Sequence, residues 1–463
     1  MNSSNIKLRG SFALLAFLAG ALSWTPAAAQ QLEDRLNHLT LNQQQDLRAT
    51  EWQRLPEKRE NFEWGVWSST SYFTFSNQFA RTDIADPLDS ALAFDQRVWG
   101  RWDHANGESA YVRVRQLDVR QDLAVGAVGQ KIYEEGFDLD LAYYDLPSND
   151  WKFRIGRQFL QLGRGVVLAQ NLDGLRTGYE SGQWSARAFW GRTPHKTTDL
   201  DLFVGLSKRD FSALEVSYRT LSDHHIFAYY LNQDDRNSIK SGAQPLNYES
   251  TYTAIGAEGP IARDFGYYLE GILERGDSPT SLSATGRSDI KANALLAEAI
   301  WRPDRRHHPT ISLGHFRGSG DAERGSVLTN AASNPAGTDD QAFIGFGRFE
   351  AGLALSPRLS NLAVTRLSAT WKPLEVLRDR EELQLGASYF LYRKADAAGA
   401  SSVLGANVAD ADLGSGFDLT VAWKPVQDLT LAIQGSRFNP GDAFPAATRT
   451  DATALFASAT FSY

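Results

Sequence analysis

The stretch ATALFASATFSY, Ala452 to Tyr463, decides how this chain is read. Thr453, Leu455, Ala457, Ala459, Phe461 and Tyr463 share one face of an extended segment, because strand side chains alternate between two faces. A strand that is mostly apolar on one face up to an aromatic last residue suits the closing strand of an outer-membrane β-barrel, its apolar side towards lipid. The rest of the chain must then supply a secretory leader, further strands and a polar interior.

A leader is legible. Lys7 and Arg9 precede the apolar run SFALLAFLAGALSW, and TPAAA follows with Ala27 and Ala29 at small-residue cleavage positions. The run is too short and too abruptly polar at its end to anchor a membrane helix. We therefore expect residues 1–29 to be a signal peptide, 30–60 a periplasmic helix or loose tail, and 61–463 the barrel. Leu32, Leu36 and Leu39 stand at helical spacing in the middle segment, and Pro56 ends it.

Composition agrees with this division. Mean hydropathy is −0.36, which a barrel tolerates because only alternate strand residues meet lipid. The 12 Trp, 16 Tyr and 25 Phe suit interfacial aromatic girdles. With no cysteine, disulfides and thiolate metal sites are excluded, and no cofactor is expected. The net charge of −8 gives no nucleic-acid footprint. Among the bases, arginine outnumbers lysine by 36 to 11, which suggests planar, bidentate recognition of carboxylates.

Strand patterns recur near 63–75, 91–103, 109–119, 137–146, 151–158, 170–179, 183–192, 211–219 and 224–232. They continue near 249–258, 265–275, 289–302, 309–317, 360–372, 381–393, 415–424, 428–438 and 451–463. Eighteen is the even number a bacterial single-chain barrel requires. Short turns such as HANGE and PSND alternate with long polar stretches such as 193–210 and 318–359. That alternation predicts an all-β, antiparallel transmembrane barrel with short periplasmic turns and long extracellular loops. Residues 341–350, QAFIGFGRFE, hold either a further strand or a segment folded inward.

Parity separates the faces. Val112 and Val114 oppose Arg113 and Arg115; Trp151, Phe153 and Ile155 oppose Lys152 and Arg154; Trp184, Ala186, Ala188 and Trp190 oppose Arg187. Arg97 and Arg101 oppose Phe94, Val98 and Trp102, while Glu270 and Glu274 oppose Tyr267, Leu269 and Leu273. An arginine facing lipid at mid-bilayer costs about 2–4 kcal/mol, so these charges are assigned to the lumen. Arg157 lies on the apolar parity, which predicts a bulge at Gly156 or an interfacial position. Arg97, Arg101, Arg113, Arg115, Lys152, Arg154, Arg157, Arg187 and Glu270 are thus the candidate pore-lining residues. They would guide an anion through the bore; the plainer alternative is a structural Arg–carboxylate network inside the barrel.

The residues also resemble a known family. FRIGRQ, Phe153 to Gln158, is similar to a strand motif of the alginate-export outer-membrane barrels. NLDGLR, TTDLDLF, FRGSGD, LSNL, GFDL and FNPGDAF follow in that family's order. The resemblance implies an eighteen-stranded barrel exporting an anionic polysaccharide, alginate-like polyuronate, through an arginine-rich constriction, with Arg97 matching a lumen arginine. It departs at Phe159, where the family has a second arginine, at Gln434, and at the brief WKPVQD connection, where the family has a long periplasmic loop. The expected partners are an anionic polysaccharide or small anionic solute, outer-membrane lipid and lipopolysaccharide, and periplasmic secretion components, at the Gram-negative outer membrane. The alternatives are a diffusion channel for uptake of small anionic or aromatic solutes and, further off, a barrel hydrolase. His104, His195, His224, His225, His307 and His308 would be the hydrolase's candidates, but adjacent histidines on a strand face opposite ways. No enzyme activity is expected.

Overall fold

The protein is described from a computed structural model. The structure describes residues 61–463 apart from 87–88, 123–129, 195–207, 237–239, 242–243, 281–285, 305–306, 329–333 and 375–381. The proposed leader, the segment 30–60 and the TTDLDLF motif lie outside the described residues.

Alternation over 9 to 19 residues makes each barrel strand long enough to cross an apolar band. The first nine are β1 (Asn61–Ser76), β2 (Ser90–Asp103), β3 (Ser109–Asp122), β4 (Gln130–Ser148), β5 (Trp151–Leu162), β6 (Leu168–Ser181), β7 (Trp184–Arg192), β8 (Arg209–Arg219) and β9 (His225–Asp235). Two residues each, β10 (Lys240–Ser241) and β11 (Gln244–Pro245) form a small ribbon in a loop. The barrel resumes with β12 (Glu249–Ala262), β13 (Phe265–Pro279), β14 (Arg287–Trp301), β15 (Thr310–Gly318) and β16 (Leu362–Leu374). It ends with β17 (Glu382–Arg393), β18 (Asp412–Val426), β19 (Leu429–Pro440) and β20 (Ala452–Ser462).

Eighteen strands form one antiparallel sheet, and it closes on itself where β1 pairs β20 from Trp67↔Ser462 to Ser76↔Thr453. Every strand read from the sequence falls on one of these. The closing strand keeps the expected faces: Ala452, Ala454, Phe456, Ser458 and Thr460 are buried, while Leu455 and Phe461 are exposed. Outward Trp64, Trp102, Trp151 and Trp184 ring the turn end, and Trp190, Tyr230 and Tyr389 lie nearer the loop end.

The alternation of short and long connections breaks most sharply at one hairpin. The link from β5 to β6 spans only residues 163–167, although it lies at the loop end. Gly156, at φ +117°, is in register with Gly174. A Cβ on Gly156 would stand 2.2 Å from the Ala142 carbonyl oxygen, and one on Gly174 would stand 2.0 Å from that of Trp190. Only glycine fits so close to a neighbouring backbone. Above this pair the hairpin leaves the wall for the lumen. Leu160, Leu162, Val166, Val167, Leu168 and Leu172 there join Phe343, Ile344 and Phe346 in an apolar cluster.

Those phenylalanines belong to residues 319–361, the long segment between β15 and β16. It folds inward, as one of the two readings of 341–350 expected, and adds no barrel strand. Its Phe346, Gly347 and Arg348 amides donate to the carbonyls of Val167, Val166 and Gly165 at the hairpin tip. Residues 351–355 then pack among Phe73, Phe390, Tyr392 and Phe438 on another stretch of wall. We call this segment the strap.

Gly174→Val should cost about 1–3 kcal/mol through forced backbone displacement. The expected outcome is a lower urea midpoint in detergent micelles, read by tryptophan fluorescence, whereas an unchanged midpoint would count against the glycine-pair bend.

Candidate functional site: the lumen and its constriction

The inward parity of β2 to β4 carries the first cluster. Arg97 and Arg115 are register partners on adjacent strands, and like charges directly opposite repel. Two carboxylates offset this. Asp95 receives Arg97 at 2.7 Å and Arg115 at 2.9 Å, while Asp140 receives Arg113 at 2.7 Å and lies 3.6 Å from Arg97. Arg97 is 1% exposed and stacks 4.7 Å above the Trp67 ring. Three guanidinium groups therefore share two carboxylates.

A second cluster repeats the ratio on β4 to β8. Arg154 pairs with Asp145 at 2.6 Å and sits 3.7 Å above the Tyr143 ring. Arg176 is its register partner across β5 and β6. Arg187 pairs with Glu215 at 2.8 Å and donates to the Gln161 carbonyl at 2.9 Å. Planar guanidinium forks can accept such sharing, which a point-like ammonium does less well.

The third cluster lies at the hairpin tip. Arg164 and Arg366 both contact Glu298 at 2.9 Å. Arg164 also stacks 4.1 Å above Tyr268, and Arg366 5.1 Å above Phe316. A Cβ on Gly163 would stand 2.2 Å from Glu270. The tip therefore reaches across the lumen from β5 and β6 to β13 and β14, and two guanidinium groups share one carboxylate there. The first two clusters each hold one more guanidinium than carboxylate, whereas at the tip the buried Glu270 beside Arg164 evens the count. All three lie in a space walled by apolar side chains, where fields persist over longer distances.

The strap narrows the remaining space and is held by buried carboxylates. Glu274 accepts from the Tyr248 hydroxyl at 2.6 Å, the Tyr252 hydroxyl at 3.0 Å and the Ile344 amide at 2.9 Å. Asp418 accepts from the Leu353 amide and from Gln434, both at 3.0 Å, and from the Ser436 hydroxyl. Within the strap Arg324 and Asp340 form a fully buried pair, to which Ser278 adds a hydrogen bond. The strap is thus pinned at two separated strands, β13 and β18.

Of the residues singled out from sequence, Arg97, Arg113 and Arg115 come together, as do Arg154 and Arg187. Arg101 sits apart, paired with Asp103 at 2.9 Å, and Lys152 meets Glu180 at 3.2 Å near the turn end. Glu270 accepts from Tyr229, Tyr268 and the Arg164 amide, so it anchors the tip. Arg157 is corrected: it keeps the outward parity of Ile155 and pairs with Asp173, because β5 bends at Gly156 without a register shift against β6. Sequence reasoning missed Arg164, Arg176, Arg366 and Glu298. The available signal for Arg164 was GRGVV on an anomalously short outer connection.

A closed eighteen-stranded barrel with an apolar outer belt and a charged, constricted lumen is an outer-membrane channel. The sequence matches the model of the Alginate export family over residues 73–458, and the chain belongs to that family. No curated protein matches the sequence. Among solved structures, Pseudomonas aeruginosa OccK8 (OprE) superposes with a TM-score of 0.55 at 11% identity, covering 87% of this chain and 98% of that one. Pseudomonas aeruginosa OpdK with vanillate gives 0.54 at 11%, covering 87% and 99%, and OccK11 (OpdR) of the same organism gives 0.53 at 13%, covering 87% and 96%. At these identities the likeness shows the fold alone.

Removing both strap anchors, in Glu274→Ala with Asp418→Ala, leaves buried strap amides without acceptors, at about 1–3 kcal/mol each. Single-channel recordings of the double variant should show larger and noisier conductance; unchanged conductance would mean the strap does not limit flow.

Proposed function

We propose that the channel conducts carboxylate-bearing anions, guided by three guanidinium-rich clusters from the wall to the tip. The observation that carries this reading is the surplus of one guanidinium in each of the two wall clusters, Arg97–Arg113–Arg115 and Arg154–Arg176–Arg187. Shared carboxylates hold the arginines in place yet leave a net positive field for a passing anion. Because the attraction is spread over several sites, an anion can leave as readily as it enters. Arg97, Arg113, Arg115, Arg154 and Arg187 would line this route, with Arg164, Arg176 and Arg366 added from the structure.

Family membership supports a polyuronate such as alginate as an exported cargo. A second reading, uptake of small anionic or aromatic carboxylates, is favoured by the strap: a segment pinned to two separated strands suits small solutes better than a continuous polymer. The fold shared with a channel solved with vanillate agrees with that reading.

Reversal potentials in a salt gradient across planar bilayers should show anion selectivity. Arg164→Ala with Arg366→Ala leaves Glu298 uncompensated and should bring the anion-to-cation permeability ratio towards unity. Replacing Arg97, Arg113 and Arg115 together with Ser leaves Asp95 and Asp140 alone and should reverse the preference. A cation-selective parent protein would overturn the proposal. Uronate secretion by a deletion strain, measured beside uptake of a small labelled carboxylate, separates the two cargoes.

A further inference from the structure

The wall has one interrupted junction. β4 and β5 pair only from Ser148↔Trp151 to Ala142↔Arg157, yet both strands run on, β4 to Gln130 and β5 to Leu162. Among the described residues, every other barrel ladder runs to within one residue of the end of one of its two strands. The last pair here lies six residues beyond the aromatic belt at Trp151, roughly 15 Å at barrel tilt and inside an apolar band about 25 Å tall. Lipid offers no partners to exposed backbone groups, so an open edge at this depth must be closed by something else.

Side chains close it. Arg157 donates to the Leu139 carbonyl at 2.6 Å, and Asn171 donates to the Asp140 carbonyl at 3.2 Å and to its carboxylate at 3.1 Å. Arg157 is held on the outer face by Asp173 at 2.6 Å. A charged pair facing outward in the apolar band is costly, and its site beside the broken ladder calls for a reason. On the lumen side the seam meets Arg113 and Arg97 through Asp140. On the outer side it is bordered by exposed Phe137, Leu139, Ile155 and Leu175. Register shifts between β3 and β4, at Arg113/Val114 and Arg115/Leu117, give β4 slack beside it.

We propose that this seam is a lateral port through which an amphipathic anion, a carboxylate with a hydrocarbon body, passes between the lumen and the outer leaflet. The guanidinium groups inside receive the head, and the apolar border outside receives the tail. Arg157 and Asn171 are the latch: two side-chain bonds to carbonyls can open without unzipping a ladder. The bent β5–β6 hairpin makes the port possible, since it removes the strand that would otherwise seal β4.

The chain has no cysteine, so Leu139→Cys with Phe159→Cys can be bridged cleanly by a bifunctional methanethiosulfonate and released by dithiothreitol. In a porin-deficient strain, bridging should lower uptake of a labelled medium-chain alkyl carboxylate to the level of cells without the channel, and reduction should restore it. Chloride conductance of the bridged protein in planar bilayers should stay at the unbridged value. Alkyl carboxylate uptake that ignores the bridge would overturn the port, and so would an equal fall in conductance, which would place both solutes on one axial route. A parent channel without anion selectivity would instead fail the proposed function, and is read separately. Should the cysteine pair not assemble, Arg157→Ala provides the second measurement: faster alkyl carboxylate uptake is expected, and an unchanged rate overturns the port.

Discussion

The structure depends on one constraint: within hydrocarbon, every backbone N–H and C=O must find its partner inside the protein. A sheet meets it only by closing, which fixes the pairing of β1 with β20 and gives each residue one of two environments. Parity then becomes physics. Leu455 and Phe461 face outward because lipid receives them, and Arg97 and Glu274 face inward because lipid would not.

The interior answers a second demand, that buried charge be shared. Arg97, Arg113 and Arg115 on Asp95 and Asp140, and Arg164 and Arg366 on Glu298, are the same device at two places. Under the proposed function, the guiding ladder and the structural network posed from sequence are one arrangement. A carboxylate placed between two or three guanidinium groups positions them without cancelling them.

The constriction follows from where the wall is allowed to bend. Gly156 and Gly174 permit the β5–β6 hairpin to turn inward, and Glu270, Tyr268 and Glu298 receive its tip. The strap completes the narrowing through Glu274 and Asp418. The same bend that builds the constriction leaves the neighbouring β4 edge to be closed by Arg157 and Asn171.

The sequence by itself determined the barrel and its strand number and, on the strands whose alternation is clear, which parity carries the charged residues. Alternation with period 2 is a local property, and a lipid solvent makes it decisive. Thus Arg113, Arg115 and Arg154 were legible from their immediate neighbours. Arg164, Arg366 and Glu298 were not, because what joins them is a crossing of the lumen between strands far apart in the chain. Arg157 sat on the apolar parity, and only the bend at Gly156 shows that it stays outside. Segment 341–350 had two readings, since a short apolar run fits a wall strand or a buried strap equally well. The tertiary structure decided for the strap, where the Glu274 and Asp418 carboxylates and the hairpin tip supply the hydrogen-bond partners that a wall position would have drawn from neighbouring strands.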